Sequence, residues 1–242
     1  MAADLSGRRP RRLDLLGLAN FSSNLLVVLF LEDLLEYTAL QAAIFMLPGV
    51  ILSGMFSPLV GKLCDQLNPR VFLVLGFLLS AVAMYWLATM GRQTEVASVV
   101  WVLIVRSGLG FVFPPLLLLG LGTLAREEIG AASGLLNITR QIAGMGGIAL
   151  AGLLLERLQY VHHLTGSEHL ALSGGGVEAT QRALEGVLQR GGDVGGLLQT
   201  KVQTALSRYM TLESLGIAFQ DCFIVVALIF AAAAVVSLCI PG

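Results

Sequence analysis

Six long apolar runs with almost no charge divide this sequence, and each approaches or exceeds the length of a membrane span. A helix needs roughly 20 apolar residues to cross the hydrocarbon core of a bilayer. Because backbone polar groups in lipid must be satisfied within the segment, we predict an all-α membrane protein with a six-transmembrane-helix bundle. The predicted spans are Leu15–Leu31, Tyr37–Gly61, Val71–Gly91, Val96–Ala125, Ile129–Leu155 and Ser214–Ile240.

Composition supports this fold class and disfavours several others. Hydrophobic residues make up 56% of the 242 residues and charged residues 13%, whereas soluble domains carry about 25% charged residues. The net charge of -1 disfavours a nucleic-acid partner. The cysteines Cys64, Cys222 and Cys239 are scattered and indicate neither a disulfide framework nor a zinc site. The sequence has no P-loop or dinucleotide fingerprint, so we expect neither an enzyme nor a cofactor.

The distribution of positive charge predicts the orientation of the chain. Cytoplasmic loops of membrane proteins are enriched in Lys and Arg. The first loop on the opposite side carries Glu32, Asp33 and Glu36 and no basic residue. We therefore expect both termini to face the cytoplasm, in a bacterial inner membrane. The basic residues on the predicted inner side are Arg8, Arg9, Arg11, Arg12, Lys62, Arg70 and Arg126.

Four segments follow from the spans and the orientation. Residues 1–14 form a basic cytoplasmic tail, 15–155 hold five transmembrane helices, 156–213 form an external and partly helical loop, and 214–242 hold the sixth helix and the C-terminus. Within the loop, an apolar residue recurs every four positions, which predicts an amphipathic helix with one apolar stripe. The stripe consists of Val194, Leu198, Val202, Leu206 and Met210.

Polar residues inside the spans are the candidate functional residues, because an intramembrane charge is costly. Arg106 lies deep in the fourth span, and Arg140 lies near the centre of the fifth. Asn20, Ser23 and Asn24 form a polar cluster in the first span. For each arginine two interpretations remain open: a cavity or coupling role, or helix docking alone.

Other polar residues carry weaker signals. Asn137, Gln141 and Gly144 are spaced to share one helix face with Arg140, and such a face looks toward a cavity or a partner helix. Asp221 lies near the outer end of the sixth span, where a carboxylate in water is favoured over coupling. The His162-His163 pair is expected in a solvent-exposed loop, and no metal site is predicted.

Small residues and prolines predict how the helices pack. In the second span, Gly49, Ser53, Ser57 and Gly61 recur every four residues, a spacing that lets helix backbones approach closely. In the fourth span a Pro-Pro pair is expected to kink or break the helix. The packing and kink candidates are Gly108, Gly110, Pro114, Pro115, Gly144 and Gly147.

Three motifs resemble those of one transporter family. The run from Gly61 through Asp65 to Arg70 resembles the cytoplasmic loop motif of the major facilitator superfamily. A second similarity is to the region that follows this loop motif in the fourteen-helix drug–proton antiporters of the EmrB/QacA type. It is carried by Arg106-Ser107-Gly108-Leu109-Gly110 with Pro114-Pro115. Ala132 to Asn137, followed by Arg140-Gln141, is the most specific similarity to that group.

The resemblance implies the C-terminal half of such a transporter, without the N-terminal bundle. Gly61, Asp65 and Arg70 would then hold or gate the cytoplasmic end. Family members bind small molecules at the membrane midplane between two bundles, so this chain would transport only when paired with a second one. The expected partner is another membrane protein or a second copy of the chain. The alternative is a non-transporting structural or accessory subunit of a membrane complex.

Overall fold

The computed structural model describes residues 15–64, 66–112, 114–116, 118, 129–172 and 196–238. Every regular element in these ranges is helical, so the predicted all-α fold class is confirmed. The helices are α1 (Leu15–Leu29, continued by a π-helical turn Phe30–Leu34), α2 (Ala39–Cys64), α3 (Pro69–Ala88), α4 (Val96–Arg106, continued by a 3-10 turn Ser107–Phe111), α5 (Ile129–Leu172) and α6 (Gly196–Leu238).

Four of the described helices are long and apolar enough to cross a membrane. They are α2, α3, α5 over Ile129–Leu164 and α6 over Thr200–Leu238. Helix α4 has 11 residues and is shorter than a span. A count of six spans therefore stays a prediction, whereas the multi-helix membrane architecture is present in the structure.

Local sequence signals account for where two of the helices begin. Before α2, the Thr38 backbone N–H donates to Gln41 Oε1 at 3.0 Å, and the Gln41 N–H donates to Thr38 Oγ1 at 3.4 Å. This reciprocal pair is a capping box that satisfies otherwise unpaired donors. Before α3, Asn68 Oδ1 accepts from the Arg70 N–H, and Pro69 occupies the first helical position, where its missing N–H has no cost.

Aromatic packing joins α1 to α6 in the interior of the bundle. Phe30 lies edge-on to Phe219 and Phe223, with ring centroids 5.7 and 5.5 Å apart, and all three side chains are fully buried. Helix α3 packs along α6, and α1 packs along α5. Edge-to-face rings add attraction beyond their buried area, which fixes α1 and α6 around a common core.

Three predicted boundaries differ from the structure. The fourth helix ends at Arg106 instead of continuing toward Ala125, and the break precedes the prolines because the Ser107–Phe111 turn carries two glycines. Helix α5 continues past Leu155 to Leu172, and α6 begins at Gly196 instead of Ser214. The extension of α6 contains the predicted apolar stripe from Leu198 to Met210.

Some predictions fall on residues outside the described ranges. These are the basic tail over 1–14, Asp65 of the loop motif, the glycine-rich part of the loop over 173–195 and Cys239. The predicted amphipathic stripe is helical from Gly196 onward.

Helices α2 and α5 are the least covered of the long helices. In the most apolar window of α2 only 11% of the residues are buried, and in α5 22%. The corresponding fractions are 50% for α3 and 39% for α6. Within the described part of the chain, α2 and α5 therefore form the open sides of the bundle, whereas the buried core draws most of its side chains from α1, α3 and α6.

Candidate functional site

A cleft of about 370 Å³ lies between α1, α2 and the end of α4. One wall is the polar face of α1, another is the small-residue stripe of α2, and the third is formed by α4 and the turn after it. The described residues that line the cleft are Asn20, Asn24, Met46, Gly49, Val50, Ser53, Gly54, Ser57, Leu103, Arg106, Ser107 and Gly110.

Arg106 is the charged residue of this cleft, and its side chain is held by α1. Its Nη1 donates to Asn24 Oδ1 at 3.1 Å, and its Nη2 donates to Asn24 Oδ1 at 3.1 Å and to Ser23 Oγ at 2.7 Å. The residue is 7% exposed. The structure thus brings together two predicted candidates that lie 82 positions apart in the sequence.

The Arg106 charge is solvated by neutral groups. Both of its hydrogen-bonding partners are uncharged, and none of the described residues that line the cleft is acidic. Its Nε is buried and has no hydrogen-bond partner in the described part of the chain. Burying a cation without a counter-charge is expensive, so the cleft keeps an unbalanced positive charge.

The polar face of α1 has its own internal bonds. Asn24 Nδ2 donates to the Asn20 carbonyl at 3.1 Å, and Ser23 Oγ donates to the same carbonyl at 2.8 Å. Because the Asn24 amide N–H and the Ser23 hydroxyl both donate to this carbonyl, Asn24 Oδ1 and Ser23 Oγ can accept hydrogen bonds from Arg106. The i, i+3, i+4 spacing of the sequence therefore builds a neutral socket for the guanidinium.

Close backbone approach sets the width of the cleft. A Cβ at Gly49 would lie 2.7 Å from the Leu103 carbonyl oxygen, and one at Gly110 would lie 2.8 Å from the Ser53 carbonyl oxygen. Only glycine fits both positions without moving a helix. The two contacts fasten α2 to α4 and to its turn, which places Arg106 opposite α1.

The polar residues predicted on α5 lie outside the cleft. Arg140 Nη2 donates to Asn137 Oδ1 at 3.2 Å, and Asn137 and Gln141 are exposed. Gly144 is buried and faces the Phe21 ring of α1. The predicted face is therefore divided: its glycine packs inside the bundle, and its polar members occupy the open side of α5.

Asp221 has a partner that the sequence analysis did not foresee. His162 Nε2 lies 2.8 Å from Asp221 Oδ2, and the two side chains are 27% and 40% exposed. The histidine pair lies within helix α5 and not in a loop; His163 is exposed as expected, whereas His162 is partly buried. Asp221 is likewise not a carboxylate in water alone, since it joins α6 to α5. No cluster of metal-binding residues occurs in the described ranges.

The remaining candidates are distributed over other contacts. Gly108 faces Leu79 of α3, and Gly147 faces Leu18 of α1. Pro115 is buried in a short helical piece with Pro114. Gly61 and Arg70 lie at the ends of α2 and α3 that the loop motif connects; their relation to Asp65 is outside the described residues.

Sequence reasoning missed the double role of the α2 stripe. Gly49, Ser53 and Ser57 were predicted as packing residues, and the structure also places them in the cleft wall. The signal was present in the two serines, since a stripe used only for packing has no need of hydroxyl groups. Ser107 was also missed because it looked like part of a helix.

With this geometry described, comparison with known proteins identifies the family. The model of the Major Facilitator Superfamily matches residues 14–148, which is more than half of the chain. The chain therefore belongs to this superfamily and is a multi-pass membrane protein.

The relatives that the chain resembles include export and resistance proteins. The chain is 25% identical over 205 residues to the multidrug export protein EmrB of Escherichia coli, covering 84% of the chain and 38% of that protein. It is 29% identical over 146 residues to the fatty acid resistance protein FarB of Neisseria gonorrhoeae, covering 60% and 29%. It is 30% identical over 131 residues to the lincomycin resistance protein LmrB of Bacillus subtilis, covering 54% and 27%. The chain thus spans well under half the length of these relatives.

Proposed function

We propose that this chain forms one half of an efflux transporter of the inner membrane, which moves small amphipathic molecules when a second helix bundle covers α2 and α5. The observation that carries the proposal is the cleft between α1, α2 and α4, with the buried Arg106 in its wall. The export and resistance functions in the names of EmrB, FarB and LmrB support the same class of activity.

The position of the cleft supports a binding role. It is bounded by the poorly covered helix α2, so it opens toward a side of the bundle that the described chain leaves uncovered. Transporters of this architecture bind substrate near the midplane between two bundles. In this proposal both termini face the cytoplasm, and the second bundle closes the cleft.

Exposed polar residues on α5 support the proposal that a second bundle covers this helix. Asn137 and Gln141 lie on the open side of α5 together with large apolar residues such as Leu135, which is 67% exposed. Polar side chains facing hydrocarbon are costly, so a protein surface is a better neighbour than lipid. A different membrane protein is favoured as partner over a second copy of the chain.

The transport role can be tested by filling the cleft. Ser57 lines the cleft, whereas Val82 of α3 is 55% exposed and lies outside it. We expect Ser57→Trp to abolish transport of an amphipathic dye into inside-out vesicles and Val82→Trp to retain it. Equal export by both variants would contradict a substrate role for the cleft. Absence of export by the unmodified complex would favour the accessory-subunit alternative.

The second bundle can be tested by accessibility. Single cysteines in a background without native cysteines would replace Met55 of α2, Leu135 of α5 and, as a control, Val82 of α3, which are 66%, 67% and 55% exposed. We expect a lipid-soluble maleimide in native membranes to label the α3 site and to spare the other two. Equal labelling at the three sites would show that α2 and α5 face lipid.

A further inference from the structure

We propose that the cleft selects amphipathic molecules that carry one anionic group, and that Arg106 is the counter-ion for that group. The inference rests on the proposed function, because it assigns a substrate class to the same cleft. Nothing in the superfamily membership itself fixes the charge of a substrate.

The first argument is charge balance. Arg106 is 7% exposed and is held by Asn24 and Ser23, both of them neutral. The described cleft wall contributes no acidic residue. Coulomb interactions are strong in a site that excludes water, so a ligand anion at this wall offsets a charge that the described residues leave unbalanced. A ligand cation at the same wall meets repulsion.

The second argument is the hydrogen-bonding capacity of the guanidinium. Guanidinium has five N–H donors in a planar fork that suits carboxylate and phosphate oxygens. Asn24 and Ser23 engage both terminal nitrogens, whereas Nε has no acceptor in the described part of the chain. Three of the five N–H groups thus donate to the socket on α1, which fixes the guanidinium in the wall and leaves two N–H groups, one of them on the buried Nε, for other acceptors.

The third argument is the remainder of the wall. The cleft is also lined by apolar side chains and glycines, including Met46 and Val50 of α2 and Leu103 of α4. Such a surface favours an apolar ligand body. The cleft volume of about 370 Å³ lies within the usual range of small-molecule sites. The combination fits an anionic head group on an alkyl or aryl body.

A carboxylate from the second bundle is the competing source of the negative charge. In that case Arg106 would form an ion pair between the bundles and would have no influence on ligand charge. The two sources differ in what they predict for a series of ligands with one alkyl chain and different head groups.

The experiment measures binding of decanoate, decanol and decyltrimethylammonium to the purified complex in nanodiscs, corrected for partition into empty nanodiscs. We expect decanoate to bind at least about tenfold more tightly than decanol, which corresponds to one ion pair in a partly desolvated site. Decyltrimethylammonium should bind most weakly. Three equal affinities, or tightest binding of the cation, would overturn the proposal.

Variants assign the preference to Arg106. Arg106→Gln should remove the preference for decanoate over decanol, and Arg106→Lys should retain part of it. Arg157→Gln changes an exposed arginine outside the cleft and should preserve the full preference. An unchanged decanoate preference in Arg106→Gln would assign the effect to another residue and refute the inference.

The ligand series also separates this inference from the proposed function. A complex that exports a neutral dye, with export blocked by Ser57→Trp, but shows no preference for decanoate retains the transporter role and loses the anion site. A complex that exports nothing loses the transporter role. The ligand comparison uses the unmodified protein, so it remains decisive even where Arg106→Gln does not fold.

Discussion

Helices α2 and α3 are both long and apolar enough to span a membrane, yet they have opposite surroundings. Half of the residues in the most apolar window of α3 are buried, against 11% in α2. Leu73 of α3 is 2% exposed, whereas Leu59 of α2 is 53% exposed. Apolar composition thus indicates that a helix lies in a membrane, but it does not indicate whether lipid or protein covers the helix.

The small residues of α2 explain the difference. Its close contacts are made through one stripe, where Gly49 meets Leu103 and Ser53 meets Gly110. Helix α3 instead buries large side chains such as Leu73, Phe77 and Met84 against its neighbours. A helix that packs through a narrow glycine–serine stripe leaves the rest of its surface available for contact with lipid or with another protein.

The largest expected effect is the difference in stability loss between the same substitution, Leu to Ala, on the two helices. Leu73→Ala on α3 should destabilise the protein by about 3 kcal/mol, because it leaves a cavity in a packed core. In the isolated chain, Leu59→Ala on α2 should change stability by less than about 0.5 kcal/mol, as is usual for surface positions. Unfolding in a mild detergent measures both. Similar losses at the two sites would mean that α2 is covered within the chain.

The next effect concerns two glycines of α2. Gly49→Ala should cost about 1–3 kcal/mol, because overpacking against the Leu103 backbone forces α2 away from α4. At Gly54 a Cβ meets nothing within 4 Å, so Gly54→Ala should leave stability unchanged. The thermal midpoint of each variant in detergent gives the answer. A tolerated Gly49→Ala would show that the helix contact is loose.

A smaller effect is expected where α5 meets α6. His162→Gln or Asp221→Asn removes a hydrogen-bonding contact between partly exposed side chains, for which losses of about 0.5–1.5 kcal/mol are typical. Because the pair joins two helices, the double variant should lose no more than the larger of the two single losses. Additive losses would show that the two side chains act independently.

The smallest effect is expected at the exposed pair between α6 and the loop after α1. Arg208 Nη2 donates to Glu36 Oε1 at 2.6 Å, with side chains 69% and 46% exposed. Arg208→Ala should cost less than about 0.5 kcal/mol, since water screens such pairs. High salt should abolish the difference from the unmodified protein. A loss above 1 kcal/mol would mean that the pair is shielded in the assembled protein.

Much of the fold follows from local sequence. Long uncharged runs predicted helices within every span, and the Thr38–Gln41 and Asn68-Pro69 signals coincide with the observed helix starts. The end of the fourth helix at Arg106 was less predictable. The run beyond it is as apolar as a span, and only the packing of Gly108 and Gly110 against α3 and α2 reveals the turn.

The sequence by itself determined that the chain is helical and membrane-embedded, and that Asn20, Asn24, Arg106, Asn137, Arg140 and Asp221 are costly polar residues within its predicted spans. Only the tertiary structure decided how they are grouped. It joined Arg106 to Asn24, left Asn137 on an open side and gave Asp221 the partner His162. The physical reason is that helix formation and membrane insertion depend on neighbouring residues in the chain. The pairing of polar groups depends instead on which helix faces meet, and that is set by the shapes of many distant side chains.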